Sequence, residues 1–99
     1  MNYRFHPEAA AEYERDIRFY RQRQPGLQKR FAAAVEEAIA RIRSHPERWR
    51  MIEPGIRRCL TKTFPYLVIY SVQGDIIFIL AVAHGSREPG YWKHRVESS

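Results

Sequence analysis

A chain of 99 residues with 44% apolar and 13% aromatic side chains can build one modest core but not two, so a single domain over residues 1–99 is expected. Seventeen Lys and Arg against 11 Asp and Glu leave a formal charge of +6, which favours a polyanionic or acidic partner. No apolar run approaches the roughly 20 residues that span a bilayer. Met1 to Pro7 lacks the apolar region of a secretory signal, and the lone Cys59 can form neither an internal disulfide nor a cysteine-rich metal site. The expectation is a cytoplasmic protein with no membrane role, in which Cys59 is a small buried hydrophobe.

In chain order, Tyr3 to Phe5 is short and aromatic and stops at Pro7, which predicts an edge strand leading into a helix with proline in its first turn. From Glu8 to about Gln22, Ala10, Tyr13, Ile17 and Tyr20 recur at three- and four-residue intervals, with Arg15, Arg18 and Arg21 turned to solvent. Pro25-Gly26 interrupts the pattern. A second stripe follows through Leu27, Phe31, Ala34, Val35, Ala38 and Ile42, and so short a connection predicts an antiparallel αα-hairpin.

After His45-Pro46 the pattern changes to that of strands. Ile56 to Thr61 is one strand; Phe64 to Val72 and Ile76 to Ala83 flank a Gln73-Gly74-Asp75 turn and predict a β-hairpin. Pro65 belongs at a strand start. Ile76 to Ala83 is apolar at every residue, which predicts an interior strand covered on both faces, the helical hairpin on one of them. Glu88 to Arg95 has room for one helical turn or a docked loop. The fold class is therefore α+β: an N-terminal strand, an αα-hairpin packed on a twisted, mainly antiparallel sheet, and a short C-terminal turn or helix.

No phosphate loop, zinc signature or nucleophile elbow is present, and no metal or cofactor is expected. His6 and His45 stand at element boundaries, where a polar residue is unremarkable. His84, Arg87, Tyr91 and Trp92 fall close together after the last strand, and Arg57 or Arg58 projects from a neighbouring one; alternation allows one of these two arginines to share the surface of His84. Such a set suits a phosphate. In RNA cleavage a base, a cation and an acid are needed, and His, Arg and Tyr fill these roles. The plainer alternative has Tyr91 and Trp92 folding back over the sheet, with Arg87 as a solvated loop charge. Basic residues also run from Arg41, Arg43, Arg48 and Arg50 to Lys62, a surplus that favours an acidic partner beyond an ordinary solvated face.

The stretch Arg57 to Tyr70, with its Phe64-Pro65-Tyr66 opening, and the ending Ala83-His84-Gly85-Ser86-Arg87-Glu88-Pro89-Gly90-Tyr91-Trp92 resemble the RelE/ParE superfamily of toxins from type II toxin-antitoxin systems. The Pro7-Glu8-Ala9-x-x-Glu12 helix start agrees. The resemblance implies a cytoplasmic toxin of plasmid-stabilization or growth-arrest type that forms a hetero-oligomer with a cognate antitoxin. The superfamily divides by target. RelE-like members cut messenger RNA in the ribosome, in which case His84, Arg87, Tyr91, Arg57 and Arg58 would be catalytic. ParE-like members inhibit DNA gyrase without catalysis, in which case Arg57, Arg58, Arg87, Tyr91 and Trp92 would contact the target or nucleic acid. The chain lacks the lysine cluster and the central-strand glutamate of the nucleases, and its helical hairpin is long, so the resemblance favours the ParE-like branch. The alternatives are the RelE-like nuclease and a non-toxic basic nucleic-acid-binding module.

Overall fold

A computed structural model describes residues 1–97. Strand β1 (Asn2–Phe5) leads into α1 (Pro7–Arg23), which is followed by α2 (Leu27–Ser44). Four strands come next, β2 (Arg50–Glu53), β3 (Ile56–Leu60), β4 (Tyr66–Gln73) and β5 (Ile76–His84), and a short α3 (Lys93–Glu97) ends the described chain. Among the described residues these strands form one sheet in the order β1-β5-β4-β3-β2. β1 pairs with β5 in parallel and every other pairing is antiparallel, so β1 is an edge strand and β5 is interior.

Local chemistry accounts for the helix ends. His6 caps α1, its Nδ1 accepting from the Glu8 amide at 3.0 Å, and Pro7 occupies the first turn, where its missing donor is no loss. Gly26 opens α2 at φ 96°, a left-handed conformation that glycine adopts without a Cβ penalty, and so lets three residues reverse the chain. The hairpin lies on one face of the sheet. Phe31, Val35, Ala38, Ile39 and Ile42 from α2 meet Val68, Tyr70, Ile77, Ile79 and Val82 from the central strands, and Tyr70 donates to the Pro46 carbonyl at 2.5 Å. The rings of Tyr20, Phe31, Phe64 and Tyr66 join this core with centroids 4.7–6.3 Å apart.

The opposite face carries a second, smaller core of Ile56, Ile69, Phe78, Leu80, Ala81 and Ala83, and Trp92 packs into it at 4% exposure. The C-terminal segment therefore folds back over the sheet. Two features depart from the expectation. The chain between Pro46 and Ile56 contains a further strand, β2, whose Arg50 and Met51 are exposed; a four-residue edge strand with charged ends has too little alternation to stand out. The second is a bulge in β5: Ile69 faces Ala81 and Tyr70 faces Ile79, so Leu80 has no partner on β4. No helix is long and apolar enough to cross a membrane among the described residues.

Phe31 is 0% exposed and packs against four other rings, so Phe31→Ala is expected to lower unfolding free energy by about 3–5 kcal/mol in chemical denaturation. Leu60→Ala, at a residue 58% exposed, should change it by about 0.5 kcal/mol or less.

Candidate functional site

β1 accompanies β5 only as far as Ile79, where the His6 amide donates to the Ile79 carbonyl at 2.9 Å. Beyond that point β5 continues for five residues with no strand on this side. Its backbone groups are taken up by side chains. Glu12 of α1, 3% exposed, accepts from the Val82 amide through Oε1 at 3.0 Å. Arg95 of α3, 6% exposed, donates through Nη1 both to the Leu80 carbonyl and to Glu12 Oε1, each at 2.9 Å. The ion pair stands where the next residues of β1 would have stood, with one acceptor and one donor for the two backbone groups.

The rest of the C-terminal segment hangs from this pair. Tyr91 donates to Glu12 Oε2 at 2.7 Å, and the Arg87 guanidinium lies 3.8 Å from the Tyr91 ring centroid and 4.0 Å from Glu12 Oε2. His94 holds Glu8, one helical turn before Glu12, at 2.9 Å. Gly90 makes the bend into α3 at φ 79°, and a Cβ there would meet Lys93 Cε at 2.8 Å. Burial, the Glu12 hydrogen bond and the Glu12 charge all push the Tyr91 phenol up, so its proton is held. Burial alone would lower the Arg95 pKa, but the hydrogen bond and charge of Glu12 outweigh it and hold the guanidinium above its ordinary value. The hydrogen bond to His94 draws the Glu8 carboxyl down.

The residues singled out in the sequence do not share one surface. Arg58, Arg87 and Trp92 border a groove of about 360 Å³ on the face away from the helical hairpin, floored by Ile52, Leu67 and Ile69, with Lys93 bound to Glu53 at 3.5 Å on its rim. Trp92 is buried and shapes this groove more than it presents a ring to solvent. Tyr91 stands between the groove and α1. His84 lies on the helical side, its ring 5.3 Å from that of Tyr66, with Nδ1 accepting from the Ser86 amide at 3.0 Å. The bulge at Leu80 is responsible: it adds a residue to β5 after Ile79, so Val82 and His84 rather than Ala81 and Ala83 face the helices. Arg57 shares the helical side but is registered with Tyr70, four residues along β4 from the Tyr66 opposite His84 and therefore about 13 Å away. Its Nη1 donates to the Trp49 carbonyl at 2.8 Å.

Glu12 entered the sequence reading only as the end of the Pro7-Glu8-Ala9-x-x-Glu12 helix start, and Arg95 only as the end of the tail from Glu88; that they pair and organise the region was not legible. Glu12 falls at helical spacing from Ala9 and Asp16, on the inward face of α1, and a carboxylate on that stripe was the available signal. Asp16, one turn on, has its carboxyl pushed up by burial, opposed by a hydrogen bond from Tyr66. Among the described residues no three His, Cys, Asp or Glu side chains converge as metal ligands. Cys59 is buried in the helix-side core and its thiol is pushed up by burial.

Removing one member of the buried pair leaves the other charge and a β5 backbone group uncompensated. Glu12→Ala and Arg95→Met should each destabilise the fold by about 3–5 kcal/mol, and the double variant should lose less than the sum in a denaturation cycle. Additive losses would mean that the two side chains act separately.

The family model for the ParE toxin of type II toxin-antitoxin systems, parDE, matches residues 3–89. Among solved structures, a chain from the chromosomal ParDE TA system of P. aeruginosa superposes with a TM-score of 0.73 at 18% identity, covering 85% of this chain and 95% of that one. At that identity the likeness speaks for the fold. No curated protein matches the sequence. With a family match that runs from β1 to the turn beyond β5, and with the same arrangement of hairpin and sheet, the chain belongs to the ParE toxin family of type II toxin-antitoxin systems.

Proposed function

We propose that this toxin arrests bacterial growth in the cytoplasm by inhibiting DNA gyrase, and that a cognate antitoxin neutralises it in a hetero-oligomeric complex. The groove beside Arg58 and Arg87 is the surface assigned to the target: an apolar floor to bury side chains and cations on its rim to select an acidic counterpart. Trp92 and Tyr91 would hold that surface in shape, and Arg57 would contribute from the other face if at all.

The observation that carries the reading is the engagement of Tyr91. A nuclease would need this hydroxyl at the scissile phosphate. It instead donates to a carboxylate that is 3% exposed and lies beneath the Arg87 guanidinium, while His84 faces the other side of the sheet from Arg58. General acid-base work requires donor and acceptor within hydrogen-bond reach of one reacting group, and a dispersed set favours binding over catalysis. The RelE-like nuclease is the second reading, favoured by the contact of Glu12, Arg87 and Tyr91, a carboxylate, cation and phenol drawn together.

The two readings separate in a purified system. The gyrase reading predicts loss of supercoiling, accumulation of cleaved DNA, and at least a tenfold weakening by Arg58→Ala with Arg87→Ala, equivalent to about 1.4 kcal/mol, with His84→Ala close to wild type. Cleavage of translated messages, abolished by His84→Ala while gyrase is untouched, would overturn it.

A further inference from the structure

Basic residues gather at the C-terminal end of α2, away from the groove. From Arg41 to Arg50 there are four arginines and His45 against a single carboxylate, Glu47. Two open depressions meet here. One, of about 440 Å³, is bordered by Arg41, His45, Arg48 and Trp49, and the other, of about 340 Å³, by Met1 and Arg43. Ala40 and Ser44 line both, so two small exposed side chains form a low saddle with guanidinium groups on either side.

Arg43 and Arg48 are oriented without being neutralised. The Arg41 and Arg48 guanidiniums lie 5.3 and 5.6 Å from the centroid of the Trp49 ring, and that of Arg43 lies 5.4 Å from the Tyr3 ring. Arg43 Nε also donates to the Met1 carbonyl at 2.7 Å. Arg41 is paired with Glu37 at 2.7 Å, but among the described residues neither Arg43 nor Arg48 has a carboxylate within salt-bridge distance. Rings and carbonyls fix where the charges point and leave them available. The helix dipole accounts for a preference for Arg41 and Arg43 in the last turn of α2; it does not reach Arg48, which lies beyond the helix.

We propose that this saddle binds the sugar-phosphate backbone of duplex DNA, at a surface separate from the groove beside Arg58 and Arg87. A duplex presents phosphates in a rigid array and needs no ordering to meet guanidiniums set on both sides of an open ridge. A flexible acidic chain, by contrast, loses conformational entropy on binding and needs buried apolar anchors to offset it. Arginine in place of lysine at all three positions of the saddle, Arg41, Arg43 and Arg48, suits planar, two-pronged contact with phosphate.

The test measures binding of the full chain to a short labelled duplex of arbitrary sequence across a salt series, with gyrase absent so that the outcome is independent of the target reading. Each phosphate contact contributes about 0.9 to the slope of log affinity against log salt, so Arg43→Gln with Arg48→Gln should reduce the slope by about 1.8. Arg18→Gln with Arg21→Gln removes the same charge from the solvent side of α1 and should leave the slope close to wild type. Arg48→Glu, at an exposed residue, provides a second variant should the double one melt, and circular dichroism reports folding in each case. Three results would overturn the proposal: no binding of the duplex, equal losses in the α1 and α2 variants, or a glutamate-rich peptide that binds more tightly than DNA and is released by Arg48→Glu.

Discussion

A strand that outruns its neighbour leaves amide and carbonyl groups facing an interior with no partner, and each one buried unsatisfied costs about 1–3 kcal/mol. β1 ends at Phe5 while β5 continues from Ile79 to His84, and a helix begins in the space between. Extending β1 would satisfy the backbone but would displace α1. The chain uses Glu12 and Arg95 in its place, one presenting an acceptor to Val82 and the other a donor to Leu80. Two buried charges would be expensive singly; facing each other, with a backbone group and Tyr91 as further partners, they are compensated. A sheet edge is thereby closed by residues 83 positions apart in the chain, and the C-terminal segment is fastened to the first helix.

That fastening sets the geometry of the groove proposed for the target. Tyr91 is fixed by Glu12, Arg87 stacks on Tyr91, and Trp92 drops into the outer core, so the loop after β5 becomes one wall of the groove bordered by Arg58. The bulge at Leu80 works in the same direction. By exchanging the faces of the last residues of β5 it brings Val82 into the helix-side core, and it sends His84 to the helical side as well. The groove left around Arg58 and Arg87 has cations on its rim and an apolar base, which is the composition that supports the proposed contact with the target. The Arg43 and Arg48 saddle lies on α2 and the loop after it, so the +6 charge is divided between two regions with different shapes.

Much of this was legible in the sequence because it follows from period and punctuation. The stripe from Phe31 to Ile42 has one helical solution, the unbroken apolar run of Ile76 to Ala83 demands cover on both faces, and Gly26 and Gly74 sit where the chain reverses. The short edge strand Arg50–Glu53 left no comparable pattern. The spatial grouping of His84, Arg57, Arg58, Arg87 and Tyr91 was not legible, because one unpaired residue in β5 decides which face His84 takes, and a one-residue shift leaves no trace in an all-apolar strand. Glu12 and Arg95 were concealed differently. Each looks like one more surface charge until the distant partner is known, and nothing local in either sequence context names the other.

The central claim is that Glu12 and Arg95 complete the edge of β5, and amide hydrogen exchange at Val82 tests it most directly. If the ion pair replaces a strand, the Val82 amide should exchange only through global unfolding, as slowly as the amides of β5 that are paired with β1, and should become fast in Glu12→Ala, which removes its acceptor, even where that variant remains folded. Rapid exchange at Val82 in the wild-type chain, at a rate typical of an open sheet edge, would contradict the account.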